Sequence, residues 1–91
     1  MKRKTVRILN PLGFHARAAA RFVAEASRFK SRISVVLKDK EMDGKSILGL
    51  LLLAAPCGAS IQLRADGVDE KEAIKALAAV VSGHFGEGVR R

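Results

Sequence analysis

The chain has 91 residues, of which 48% are hydrophobic and 29% charged, a balance typical of one small globular domain and not of a disordered chain. A single cysteine, Cys57, excludes an internal disulfide, and the longest apolar run, residues 47–55, is far shorter than the roughly 20 residues of a membrane span. We therefore expect a cytoplasmic protein whose residues 1–91 form one domain.

The net charge of +8 is concentrated in the first part of the chain. Residues 1–38 hold ten Lys or Arg and one acid, whereas residues 39–91 hold seven Lys or Arg and eight acids. Such a field attracts an anionic partner, which can be a phosphate group, a nucleic acid or an acidic protein surface. A basic face that serves only solubility is an equally good interpretation of the charge alone.

The first half of the chain predicts three strands and one helix. Apolar and polar residues alternate over residues 5–9, which predicts a strand, and a turn-forming run follows it. Apolar residues at helical spacing predict a helix over residues 16–29. Apolar and polar residues alternate again over residues 33–37, which predicts a second strand. A short third strand is expected over residues 40–42.

The second half predicts two helices and one more strand. Ser46 is a suitable N-cap for a short helix over residues 47–53. Apolar and polar residues also alternate over residues 61–65, which predicts a fourth strand. Asp69 is placed to cap a last helix, whose apolar spacing covers residues 73–81.

The predicted elements follow the order β-α-β-β-α-β-α. Strands with one apolar face, together with amphipathic helices, favour a two-layer α+β domain in which the helices lie on one side of the sheet. No feature of the sequence demands a second domain.

A histidine and an arginine stand where the first predicted helix begins, in the stretch NPLGFHARAAAR. The first-turn amides of Ala16, Arg17 and Ala18 have no partner within the helix and form an anion pocket beside His15. The positive end of the helix dipole disfavours a charged ring there, and a neutral imidazole nitrogen is a competent nucleophile. The arrangement suits a transient phosphohistidine, with Arg17 as a fixed cation. On His15 and Arg17 alone, however, a histidine that merely caps a helix is the more common case.

Two flanking motifs change that balance. The first is GFHARAA, residues 13–19, and the second is KSILGL, residues 45–50. Their composition and separation resemble the HPr family, the histidine phosphocarriers of the bacterial phosphotransferase system, over essentially the whole chain. The resemblance implies an open-faced β-sandwich, in which three helices cover one face of a four-stranded antiparallel sheet.

The resemblance also implies a function. His15 would accept a phosphoryl group from phosphorylated enzyme I, which draws on phosphoenolpyruvate, and would pass it to an enzyme IIA domain. Arg17 and the amides of Ala16 and Ala18 would hold the phosphate, and Ser46 would be the regulatory site of an HPr kinase. The chain would be a carrier and not an enzyme, and a monomer, with no nucleic acid, membrane, cofactor or metal among its partners.

The run ILGLLLL is too apolar for one buried stripe. We expect Leu50 and Leu53 to face the core and the outward residues to form an exposed patch, which marks a partner surface. The residues predicted to contact partners are Phe14, Arg21, Lys45, Ile47, Leu48 and Leu51. One departure from the family pattern is Ala18, where the family usually has proline, and it leaves the start of the helix less rigid.

The alternative function is a small basic α+β module that binds nucleic acid. Against it, the chain has no Trp or Tyr and only four Phe, so the aromatic stacking face of such modules is missing. The GKS triplet at residues 44–46 does not complete a phosphate-binding loop, because Asp39 stands where that motif needs glycine. His84 and Cys57 lack metal-ligand spacing with His15.

Overall fold

Four antiparallel strands and three helices make up residues 1–86, the part of the chain that the computed structural model describes. In chain order the elements are β1 (Lys2–Arg7), α1 (Ala16–Ala26), β2 (Arg32–Leu37), β3 (Lys40–Asp43), α2 (Ile47–Leu53), β4 (Ser60–Asp66) and α3 (Glu70–Ser82). The sheet order is β1-β4-β2-β3, and a short turn, His84–Gly86, follows α3. The predicted fold class is confirmed, although residues 87–91 of the expected domain lie outside the described part.

Alternation along the strands determines which face of the sheet the helices cover. On β4, Ile61, Leu63 and Ala65 are buried, while Gln62 and Arg64 between them point to the opposite face. The buried face joins the helices in one hydrophobic core. The opposite face carries no helix among the described residues, and this asymmetry is what an open-faced β-sandwich means.

Two predicted boundaries differ from the structure. β1 covers Lys2–Arg7 instead of residues 5–9, because the whole segment pairs with β4, from Lys2 opposite Ala65 to Arg7 opposite Ser60. α1 ends at Ala26, three residues early, because the turn tightens there and Phe29 N–H bonds to the carbonyl of Ala26. Strand pairing and the tightening of a helix end depend on contacts with other residues. The spacing of apolar residues along the sequence does not show these contacts.

The second helix forms as predicted. Ser46 is its N-cap, and Ser46 Oγ accepts a hydrogen bond from Gly49 N–H at 3.0 Å. Leu50 and Leu53 are buried in the core. The helix ends at Ala54, whose φ of 55° lies in the left-handed region that commonly closes a helix.

Asp69 occupies the N-cap position of α3, but the prediction that its side chain caps the helix is wrong. Its carboxylate instead accepts hydrogen bonds from Ser31 Oγ at 2.6 Å, from Ser31 N–H at 2.9 Å and from Lys30 N–H at 2.9 Å. These bonds, the one from the Ser31 hydroxyl foremost, lower the pKa of Asp69 to about 2. The carboxylate thus ties the start of β2 to the start of α3, because three donors there outweigh a single cap bond.

We predict that Asp69 makes stability depend on acid pH. Because its pKa is lower in the folded state, its contribution is present above the ordinary value of 3.8 and is lost as the pH falls towards about 2. Asp69→Asn should therefore be less stable than the parent at pH 7, and the gap should close between about pH 4 and pH 2 in urea unfolding. Asp39→Asn, at an exposed carboxylate in the turn between β2 and β3, is the matched control and should change stability little at pH 7. An Asp69→Asn gap that persists at pH 2 would contradict the assignment.

Candidate functional site

The loop before α1 is anchored to the segment that follows α2. Phe14 N–H donates a hydrogen bond to the carbonyl of Ala55 at 2.9 Å. Gly13 has a φ of +64°, and a Cβ added there would lie 2.4 Å from that same carbonyl oxygen. Asn10 Nδ2 donates to the carbonyl of Gly13 at 2.8 Å from a fully buried position. Glycine is therefore required at position 13 by both its backbone conformation and the close approach of Ala55.

Phe14 belongs to the core, so the prediction that it contacts partners is wrong. Its side chain is 4% exposed, and its ring lies edge-on to Phe22 with centroids 5.6 Å apart. A second ring, that of Phe85, lies 5.0 Å from it. The outward apolar residue of this loop is Leu12, which is 71% exposed and which the sequence reasoning missed. Phe14, whose N–H bonds to Ala55, thus faces the core, whereas Leu12 faces solvent.

His15 is the N-cap residue of α1, with an extended backbone (φ −91°, ψ −178°) and a half-buried side chain. Its carbonyl accepts the first intrahelical bond, from Ala19 N–H at 2.8 Å. The amides of Ala16, Arg17 and Ala18 precede that bond, so they point out of the helix end as expected. The imidazole makes no cap hydrogen bond. The interpretation of His15 as a residue that merely caps the helix therefore lacks its defining contact.

The two arginines of α1 differ in their surroundings. Arg17, in the first turn, is exposed and enters none of the ion pairs found within residues 1–86. Arg21, one turn later, lies 3.2 Å from a carboxylate oxygen of Glu25, which also bonds to Arg28 at 2.6 Å. Arg17 is therefore the basic residue nearest to His15 in sequence. Unlike Arg21 and Arg28, it does not share its charge with Glu25.

Lys45, which is predicted to contact partners, also makes an internal contact. Its Nζ donates to the carbonyl of Phe29 at 2.7 Å, and its side chain is half-buried. Its backbone N–H donates to Asp43 Oδ1 at 2.9 Å. Lys45 thus joins the turn after α1 to the segment that leads into α2, so the start of α2 lies beside the end of α1.

The outward side of α2 is an exposed apolar patch, which we call the α2 patch. Leu48 is 66% exposed, and Ile47 and Leu51 are exposed beside it, as predicted. Leu52 is 61% exposed as well, although the helical spacing does not place it among the outward residues. The α2 patch consists of Ile47, Leu48, Leu51 and Leu52. An apolar surface of this kind beside charged residues is typical of a protein contact site, although binding by these residues stays a prediction.

The aromatic side chains give the nucleic-acid alternative no support. Phe14, Phe22 and Phe85 are buried, and Phe29 is half-buried, with the guanidinium of Arg28 5.7 Å from its ring centroid. All four phenylalanines of the chain therefore lie on the helix side of the sheet, and the open face has no ring on which a base could stack.

Two other kinds of feature are absent from residues 1–86. Within that range no three His, Cys, Asp or Glu side chains come together in a group that could hold a metal ion. None of the helices there combines the length and the apolar character that crossing a membrane requires.

The fold and the site together define a small α+β protein of the phosphocarrier class, with a histidine at a helix start that also offers amides and an arginine. Residues 2–82 match the family model described as the PTS HPr component phosphorylation site. The chain belongs to the HPr family.

Similar proteins cover almost the whole chain. The phosphocarrier protein HPr of Neisseria meningitidis serogroup A is 48% identical over 88 residues, which are 97% of this chain and 99% of that protein. The one from Cupriavidus necator is 41% identical over the same shares. The crystal structure of HPr-C-His from Thermoanaerobacter tengcongensis is 45% identical, covers 98% of this chain and 100% of that one, and has a TM-score of 0.93.

Another similar structure does not fit one of our expectations. An HPr dimer from Thermoanaerobacter tengcongensis is 46% identical, covers 96% of this chain and 100% of that one, and has a TM-score of 0.76. A dimeric relative at this similarity does not fit our expectation that the chain is a monomer.

We predict that Gly13 is more sensitive to substitution than Gly58, although both have positive φ. Gly58→Ala should cost about 1 kcal/mol of stability from backbone strain alone, because a Cβ there has nothing within 4 Å. Gly13→Ala should cost at least about 1 kcal/mol more, because its Cβ also meets the Ala55 carbonyl. Urea unfolding measures both variants. Equal losses would show that the histidine loop is not held by this close approach.

Proposed function

We propose that this protein is a phosphoryl carrier whose His15 accepts a phosphoryl group from phosphorylated enzyme I and passes it to an enzyme IIA domain. Family membership supports the class of function. The observation that carries the assignment to His15 is its place at the start of α1, beside the first-turn amides and Arg17. The chain is modified in each cycle and is a substrate of enzymes, so it is not an enzyme itself.

The helix start suits each stage of such a transfer. An imidazole nitrogen forms a bond to phosphorus while the bond from phosphorus to the donor atom breaks, so the phosphoryl group moves without passing through water. The amides of Ala16, Arg17 and Ala18 and the positive end of the helix dipole then favour the phosphate charge. The guanidinium of Arg17 adds donors suited to phosphate oxygens. Because the site is at the surface, a second partner can approach the same phosphate.

The partners would dock around the histidine on apolar and basic side chains. Burial of the α2 patch supplies contact energy, and the excess of positive charge in residues 1–38 favours an acidic partner surface. Arg21 remains part of this proposal, with its charge shared with Glu25. Leu12 and Leu52 join the proposed surface because both are exposed, whereas Phe14 leaves it because it is buried.

Ser46 is the proposed site of regulation by an HPr kinase. Its hydroxyl oxygen faces Gly49 N–H, and a Cβ at position 49 would lie only 3.3 Å from that oxygen, so glycine leaves space around it. A phosphate there would add negative charge next to the α2 patch. It would oppose the approach of an acidic partner by repulsion and by the cost of burying its charge.

We predict that His15→Ala abolishes phosphate uptake from phosphoenolpyruvate and enzyme I, because the accepting nitrogen is gone. The parent should gain one phosphate that is acid-labile and alkali-stable, measured by mass spectrometry. His84→Ala is the matched control, since the chain has only two histidines, and it should be phosphorylated like the parent. Uptake by His15→Ala equal to that of the parent would refute the assignment of the site.

We predict that Ser46→Asp slows phosphoryl transfer from enzyme I about tenfold, because like charges oppose each other across the contact. Aspartate also caps helices well, so the fold of α2 should survive. Ser60→Asp adds the same charge at the start of β4 and should leave the rate near that of the parent. Ser46→Ala removes the cap without adding charge. A rate for Ser46→Asp that equals the Ser46→Ala rate would reject the electrostatic explanation.

A further inference from the structure

We propose that Phe85 is a positioning residue for His15, which it holds in place through the ring of Phe14. The turn that follows α3 would thereby support the phosphorylation site at the start of α1. The inference rests on the proposed function of His15, but the contacts that carry it do not depend on that function.

Phe14 is enclosed by groups from three parts of the chain. Its ring meets Phe22 of α1 edge-on at 5.6 Å and meets Phe85 at 5.0 Å, with the latter two planes tilted by 44°. Its backbone N–H bonds to the carbonyl of Ala55. Since His15 is the next residue, any movement of Phe14 also moves the backbone from which the imidazole projects.

Phe85 reaches this position through an unusual backbone conformation. His84 and Phe85 both have positive φ, 56° and 55°, and two successive left-handed residues without glycine are disfavoured sterically. Gly86 N–H closes the turn on the carbonyl of Gly83 at 3.0 Å. Strained backbone persists only where surrounding contacts impose it, and the ring of Phe85 is 4% exposed. The packing of Phe85 on Phe14 is therefore the contact that offsets this conformation.

Removal of the Phe85 ring should loosen one of the three restraints on Phe14. The imidazole and the first-turn amides would then occupy a wider range of relative positions. Group transfer is sensitive to such displacement, because the reacting atoms must meet at near-contact distance. The α2 patch does not include Phe85, so docking of partners should be affected less than the transfer step itself.

The first measurement is hydrogen exchange of the Phe14 amide, which reports the bond to Ala55 without any partner protein. Phe85→Ala should raise its exchange rate about tenfold beyond what the loss of global stability explains. Val35→Ala, which opens the core on β2, is the control for stability loss. Phe85→Leu keeps an apolar side chain of similar reach and should restore most of the protection. Equal protection in Phe85→Ala and Val35→Ala, at matched stability, would overturn the proposal.

The second measurement is phosphoryl transfer from enzyme I with each variant as substrate. Phe85→Ala should lower the maximal transfer rate about tenfold while its half-saturating concentration stays close to that of the parent. Phe85→Leu should recover most of the rate. A Phe85→Ala rate equal to the Val35→Ala rate would overturn positioning even if exchange had changed. If the parent takes up no phosphate at all, the proposed function fails, and the exchange measurement still decides whether Phe85 holds Phe14.

Discussion

The geometry of the histidine site depends on how the residue before the histidine is held. Phe14 is fixed through its backbone by Ala55 and through its ring by Phe22 and Phe85. Phe14 is the middle residue of a tight turn, in which His15 N–H bonds to the carbonyl of Gly13 at 3.0 Å. A packed core residue thus directly precedes the half-buried His15, and contacts of the core hold the backbone from which the imidazole projects.

The one-sided sheet explains why α1 and α2 pack against each other. Only one face of the sheet is buried, so α1 and α2 share that layer and contact each other. Lys45 strengthens this arrangement by bonding to the carbonyl of Phe29, which joins the end of one helical segment to the start of the next. Phe14 N–H bonds to the carbonyl of Ala55, so the start of α1 lies beside the segment that follows α2. The two helices are thus joined at both ends by contacts between residues far apart in sequence.

Local patterns predicted the elements well and the assignments that depend on distant residues poorly. Ser46 as a cap and Leu50 as a core residue follow from a few neighbours in sequence. Phe14 and Leu12 look alike locally, and only Phe14 is buried, by contacts with residues as distant as Ala55 and Phe85. Asp69 looks like a cap, but donors 38 and 39 positions earlier take its carboxylate. Such contacts become visible only when the tertiary fold brings the partners together.

The anchoring of Phe14 also bears on the synthesis of the protein. Ala55 and Phe85 leave the ribosome long after Phe14, and β1 has no partner strand until β4 has been made. Contacts of such large sequence separation carry a high loop-closure cost and slow folding. A nascent chain that ends before Phe85 lacks one of the contacts that hold Phe14, so the loop that carries His15 reaches this arrangement only after α3 has been made.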